Sequence, residues 1–119
     1  MRKTLIIGAS SNPERYAYKA CESLLAHGHD IELLGVKPDV VFDRKIDTER
    51  IAYEDIDTVT LYIGPARQLE YYDYILSLRP LRVVFNPGTE NPEFENLLED
   101  NGIEAVEACT LVLLRLGRY

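Results

Sequence analysis

Basic residues are scarce in this chain: 13 Lys and Arg stand against 20 Asp and Glu, a formal charge of -7. Nucleic-acid binding draws most of its affinity from Lys and Arg neutralising phosphates, so a general nucleic-acid partner is not expected. A single phosphorylated small molecule is a different case, since it needs only one local cluster of donors. Cysteine is scarcer still. Cys21 and Cys109 have neither the spacing of a zinc site nor that of a redox pair, and the expectation is two reduced, buried thiols. Glycine and proline, 7 and 6 in number, are neither enriched nor clustered, which excludes a linker or low-complexity segment. Long apolar runs are also missing. Met1-Arg2-Lys3 leads straight into Thr4-Leu5-Ile6-Ile7 and then Gly8, too short a stretch for a signal peptide or a membrane span. No membrane association and a cytoplasmic address are the corresponding expectations.

What is present is ordinary globular material: 46% hydrophobic and 28% charged residues over 119 positions. A chain of that length buries roughly two-thirds of its unfolded surface, enough for one unstapled domain over residues 1–119. Thr4 to Ile7 ends at Gly8 and reads as a strand buried on both faces. From Arg15 to His27 the period becomes helical, with Ala17, Ala20, Cys21, Leu24 and Leu25 on one face and Gly28 as the stop. Asp30 to Val36 is the second strand. Lys37 to Asp57 is ambiguous, because Val40-Val41-Phe42 and Lys45-Ile46 fit either a short hairpin or an extended loop. Thr58 to Ile63 is a β-branched strand ending at Gly64-Pro65, followed by a helix over Ala66 to Leu78. Arg82 to Phe85, Asn91 to Asn101, Ile103 to Val106 and Cys109 to Leu116 read as strand, helix, strand and helix. Alternation of this kind predicts an α/β, Rossmann-like fold: a doubly wound parallel sheet of about five strands with helices on both faces.

In such a sheet ligands bind beyond the carboxyl ends of the strands, near the point where strand order reverses. The turns there are Gly8 to Pro13, Gly35 to Pro38, Gly64-Pro65 and Asn86 to Thr89, all small, polar or turn-forming. The first turn, Gly8-Ala9-Ser10-Ser11-Asn12-Pro13, permits close backbone approach, supplies two hydroxyls and opens a helix whose first N–H groups lack helical partners. That geometry favours a phosphate, the alternative being a tight turn capped by Ser11 or Asn12. It is not the dinucleotide fingerprint, since the second and third glycines of Gly-x-Gly-x-x-Gly are absent. NAD is disfavoured too, because Gly35-Val36-Lys37-Pro38 stands where an acidic residue would hold the ribose. Lys37 suits a phosphate on the ribose, as in CoA or NADP, or else is simply solvated.

The chain resembles the small CoA-binding-domain proteins, whose Rossmann-like fold also forms the nucleotide-binding part of the succinyl-CoA synthetase α subunit. The residues that carry the resemblance are Ile7-Gly8-Ala9-Ser10, Asn12-Pro13-Glu14-Arg15, Tyr18-Lys19, Gly28-His29, Asn86-Pro87-Gly88-Thr89 and Glu107-Ala108-Cys109-Thr110-Leu111. It implies coenzyme A or an acyl-CoA as the small-molecule nucleotide ligand. Gly8, Ala9, Ser10 and Asn12 would meet the pyrophosphate, with Arg15 or Lys37 adding charge. Gly64-Pro65 and Pro87-Gly88 would flank the pantetheine or adenine, and Ser11 and Asn86 complete the candidate set. Two departures stand out. Many relatives carry Asn-Pro where this chain has Gly35-Val36-Lys37, and the phosphorylated histidine of the larger synthetases has no place here, so ligase chemistry is not implied.

No nucleophile–base pair or carboxylate dyad can be placed at adjacent strand ends. His27 and His29 flank Gly28 with no third ligand in view, which reads as an exposed turn rather than a metal site. Cys109 follows the fifth strand, where it is a core thiol or, alternatively, one that exchanges with the thiol of CoA. The helix with Leu69, Tyr71, Tyr72, Tyr74, Ile75, Leu76 and Leu78 is apolar on more than one face, which suits a homodimer interface or tyrosines half-exposed to water. Three readings follow: a non-catalytic CoA binder, a small NADP-linked or other nucleotide-using enzyme, and an interaction module that has lost its ligand.

Overall fold

Four apolar or β-branched residues in a row leave no polar face for water, so Thr4–Ile7 must be covered on both sides. A computed structural model, which describes all residues from Met1 to Tyr119, shows how the chain does this. The strands are β1 (Thr4–Ile7), β2 (Ile31–Leu34), β3 (Asp39–Val41), β4 (Arg44–Asp47), β5 (Thr58–Leu61), β6 (Arg82–Phe85) and β7 (Glu104–Glu107). The helices are α1 (Tyr16–Ala26), α2 (Pro65–Gln68), α3 (Tyr72–Leu78), α4 (Pro92–Asp100) and α5 (Thr110–Arg115).

The sheet has seven strands in the order β3-β4-β2-β1-β5-β6-β7, not the five expected from sequence. All its pairings are parallel except β3 with β4. Omitting β3, the parallel strands follow the doubly wound Rossmann order, with strand order reversing at β1. The two additional strands come from the ambiguous segment after Lys37, where the hairpin alternative is the one realised. Its turn is Phe42-Asp43, both in the left-handed region at φ 50 and 62. Hairpin turns of two residues demand that conformation, but neither residue is the glycine or asparagine that usually announces it. The hairpin stands where a helix usually makes the crossover, and β4 pairs parallel with β2 through Leu33↔Ile46 and Leu34↔Asp47.

Alternate residues of each strand feed two cores. Leu5, Ile7, Val59, Leu61, Val83 and Phe85 face α3 and α4 through Tyr72, Ile75, Phe94 and Leu98. Ile6, Leu33 and Ile46 face α1 and α5 through Ala17, Cys21, Leu24 and Leu114. The helix expected over Ala66 to Leu78 is broken into α2, a tighter turn over Leu69–Tyr71 and α3. Gln68 explains the break: its buried amide donates to the carbonyls of Ile63 (2.9 Å) and Thr89 (2.8 Å), drawing the end of α2 onto the strand ends. The tyrosines that follow are used largely within the chain. Tyr72 is buried, and Tyr74 donates to the Ile51 carbonyl at 2.6 Å, holding the stretch before β5 against the core.

Near the amino ends of the strands lies a polar row, Thr4, Thr58 and Arg82, in cross-strand register. Arg82 is 6% exposed, donates from Nε to Thr58 Oγ1 at 2.9 Å, and faces the Tyr119 ring at 4.5 Å. The Tyr119 hydroxyl reaches Thr4 Oγ1 at 2.6 Å, and His29 meets the same ring edge-on. His29 Nδ1 accepts the Arg2 amide at 2.9 Å, which requires a neutral imidazole. Burial, then the amino terminus, His27, Arg2 and Arg82, hold its pKa below the ordinary 6.5. A lowered pKa favours the unfolded chain wherever that chain binds the extra proton. Stability is therefore expected to be full above pH 6.5 and to fall as pH drops from there towards the folded-state value. A His29→Gln variant should show a shallower fall in urea midpoint between neutrality and pH 5, about the range in which histidine titrates.

At the opposite end two glycines control backbone packing. A Cβ on Gly35 would lie 2.6 Å from the Ala9 carbonyl oxygen, and one on Gly8, at φ +92, would lie 2.9 Å from that of Tyr62. Both obstacles are main chain and cannot rotate away. Gly35→Ala is expected to cost about 1–3 kcal/mol in urea unfolding, the usual overpacking range. Gly64→Ala, where an added Cβ meets nothing within 4 Å, should stay within about 0.5 kcal/mol of wild type.

Candidate functional site

Because strand order reverses at β1, the connections leaving β1 and β5 diverge to opposite faces and leave a crevice between them. A cleft of about 660 Å³ occupies that position. Gly8, Ala9, Ser10, Ser11, Asn12 and Arg15 line it from the first turn, Lys37 from the end of β2, Gly64 from the end of β5, and Pro87 and Gly88 from the end of β6. The structure thus brings together these residues expected from the sequence. Pro65 and Asn86 are not among the lining residues.

The first turn is built by its own hydrogen bonds. The Gly8 and Ala9 amides both donate to the Leu34 carbonyl at 3.0 Å, tying the loop to the end of β2. Ser10 Oγ accepts the Asn12 amide at 3.1 Å and Asn12 Oδ1 accepts the Glu14 amide at 3.0 Å. Beside the hairpin, the Ser11 hydroxyl and the Val40 amide hold the Asp39 carboxyl below the usual carboxylate range. No side chain caps α1. The amides of Ser10, Ser11, Tyr16, Ala17 and Tyr18 have no acceptor within the protein. Donors without partners at a helix opening make an anion site.

Charge points the same way. Arg15, Lys37 and Arg67 line the cleft, and no Asp or Glu does, although the chain carries 20 acidic residues. None of the three cations joins an ion pair. The sequence reading missed Arg67. Its signal was a cation three residues after Gly64, in the first turn of the helix that follows β5. Also missed were the apolar and aromatic walls: Tyr16 and Val36, 67% and 71% exposed, with Ile46 beside them, and Tyr62 and Ile63 at the end of β5.

A family model described as the CoA binding domain matches residues 2–115. The chain belongs to the CoA-binding domain family. Solved structures agree on the fold. A crystal structure of an uncharacterized protein is 54% identical, with a TM-score of 0.98 over 100% of this chain and 98% of that one. A hypothetical protein from Pyrococcus horikoshii OT3 is 29% identical, with a TM-score of 0.87 over 97% of this chain and 83% of that one. A protein from Thermus thermophilus, at 22% identity and a TM-score of 0.87 over 99% of this chain and 90% of its own, speaks for the fold alone. Among curated proteins none matches.

Within this member of the CoA-binding family, Asn86 has a structural post. Its Nδ2 donates to Thr60 Oγ1 at 2.6 Å and to the Leu61 carbonyl at 2.9 Å, while its Oδ1 accepts the Thr110 amide at 2.9 Å. The side chain therefore fastens β6 to β5 and to the start of α5 beneath the cleft. Cys109, half-buried at the N-cap of α5, is also outside the lining, and burial pushes the Cys21 thiol up to about 12. The histidines lie elsewhere too. His27 Nδ1 meets the Ser23 carbonyl at 2.7 Å, His29 is held by Arg2, and no group of His, Cys, Asp or Glu gathers as a metal site. Asn86→Ala is expected to lower stability by about 1–3 kcal/mol, because it leaves the buried Thr110 amide without its acceptor. Thermal unfolding checks this; a melting temperature equal to wild type would return Asn86 to the list of ligand contacts.

Proposed function

We propose that the cleft binds coenzyme A or an acyl-CoA and carries out no catalysis of its own. The observation that carries this reading is the pairing of loose amides in the first turn with unpaired cations, in a cleft without carboxylates, on a chain of charge -7. Membership of the CoA-binding family supports CoA as that anion. The pyrophosphate would rest on the Ser10 and Ser11 amides and the opening of α1, with Arg15 beside it. Adenosine would lie towards β2, against Val36 and Ile46, where Lys37 meets the ribose phosphate. Pantetheine would run the other way, over Gly64 and Gly88, where an added Cβ meets nothing within 4 Å and the floor is bare backbone.

Support for a binding role without turnover comes from the titratable lining groups, which are Arg15, Tyr16, Lys37, Tyr62 and Arg67. The lining holds no His, Cys, Asp or Glu, and burial raises the Tyr62 phenol away from neutrality. General acid–base catalysis works best when the group's pKa lies near the working pH.

Titration calorimetry against CoA, acetyl-CoA, NADP and NAD tests the reading. CoA and acetyl-CoA are expected to bind, more weakly as salt screens the exposed cations. Ser10→Trp should weaken both by at least about tenfold, or ~1.4 kcal/mol, while leaving the melting temperature in place. Preference for NADP would favour the nucleotide-using enzyme, and no heat with any of the four would favour an interaction module.

A further inference from the structure

We infer that the amino end of the sheet carries a second binding site, a socket for a phenol, which the chain's own Tyr119 fills and thereby latches α5 in place. The socket lies at the opposite end of the strands from the cleft, and nothing in it depends on what the cleft binds.

Thr4, Thr58 and Arg82 open β1, β5 and β6, stand in one cross-strand row and are all buried. Each threonine proton is already engaged: Thr4 Oγ1 donates to the Arg2 carbonyl at 3.0 Å and Thr58 Oγ1 to Asp57 Oδ1 at 2.7 Å. Towards the socket both hydroxyls therefore act as acceptors. Thr58 accepts Arg82 Nε, and a group on Thr4 Oγ1 must bring an O–H or N–H of its own. The Arg82 guanidinium joins no ion pair, and its Nη2 is buried without a partner. A buried cation in that state is costly unless something electron-rich covers it, which the face of an aromatic ring does. The Tyr119 ring covers it at 4.5 Å, its hydroxyl lies 2.6 Å from Thr4 Oγ1, and His29 closes the ring's edge at 4.9 Å between centres. A phenol meets both requirements on one rigid ring, whereas a phenyl ring or an aliphatic alcohol meets one.

Tyr119 reaches the socket through the turn before it. The Gly117 and Arg118 amides close α5 on the Leu114 and Leu113 carbonyls at 3.1 and 2.8 Å, with Gly117 at φ +68. Within α5 only Thr110 and Leu114 are buried. Its start is held by Thr110 against Thr60 and Asn86, and the chain beyond its end by Tyr119 against Thr4 and Arg82. With so little apolar burial between these two anchors, occupancy of the socket governs how often the end of the helix lifts away.

Thermal unfolding of Tyr119→Gly with 4-methylphenol or 4-methylanisole tests the socket, since the two share a ring and an oxygen but only the first has an O–H donor. At a few times its Kd, 4-methylphenol is expected to raise the melting temperature of this variant by about 2 °C relative to wild type in the same solution. 4-Methylanisole should give no such rise. Equal responses to the two compounds, or equal responses of variant and wild type, would overturn the inference. Hydrogen exchange on Tyr119→Phe reads the latch even if the glycine variant does not fold. Amides from Leu113 to Arg118 should exchange about fivefold faster than in wild type, the scale of one hydrogen bond, while those of α4 hold. Unchanged exchange in α5, or an equal rise in α5 and α4, would also overturn it.

Discussion

The structure depends on main chain meeting main chain where the strands end. The loop leaving β1 runs between the ends of β2 and β5, with the Ala9 carbonyl against Gly35 and Gly8 against the Tyr62 carbonyl. No side chain intervenes at either contact. Because the Gly8 and Ala9 amides are both taken by Leu34, the loop cannot swing outward without losing those bonds. The Ser10 and Ser11 amides that follow, in the cleft lining, are left without acceptors. The tightness of the first turn and the availability of its donors are therefore one fact.

Around this pivot the chain separates its charges. Acidic residues dominate the whole but are absent from the cleft lining, where Arg15, Lys37 and Arg67 stand without partners. An anion entering the crevice displaces no protein carboxylate, so its interaction with these cations is not offset by a broken ion pair. Beneath the cleft the Thr60–Asn86–Thr110 bonds hold β5, β6 and α5 in register. Gln68 ties α2 to the turn after β6 through Thr89. The two walls of the cleft are thus connected by buried polar groups, while the apolar cores on either side of the sheet supply bulk stability.

Much of this was legible from residue order. The runs Thr4–Ile7, Thr58–Ile63 and Arg82–Phe85, each ended by glycine, proline or asparagine, mark central strands. Gly28 marks a helix stop and adopts φ +82. The hairpin was ambiguous because Phe42 and Asp43 take up left-handed conformations that neither usually signals. Tyr18 packs on Phe42 at 5.0 Å between ring centres, and this contact across the chain holds the turn. The break between α2 and α3 was hidden for a similar reason: the periodicity continues, but Gln68 bonds to groups distant in sequence.

The sequence by itself determined the class of fold and the glycines that the first turn needs, because those follow from local conformational limits and periodicity. Only the tertiary structure decided that Asn86 is an internal fastener, that Ser11 lies near Asp39, and that Arg67 shares a cleft with Arg15 and Lys37. Periodicity says which face a residue occupies, but whether a polar group meets a partner or a ligand depends on which strands lie side by side. That order is set by long-range packing across β1.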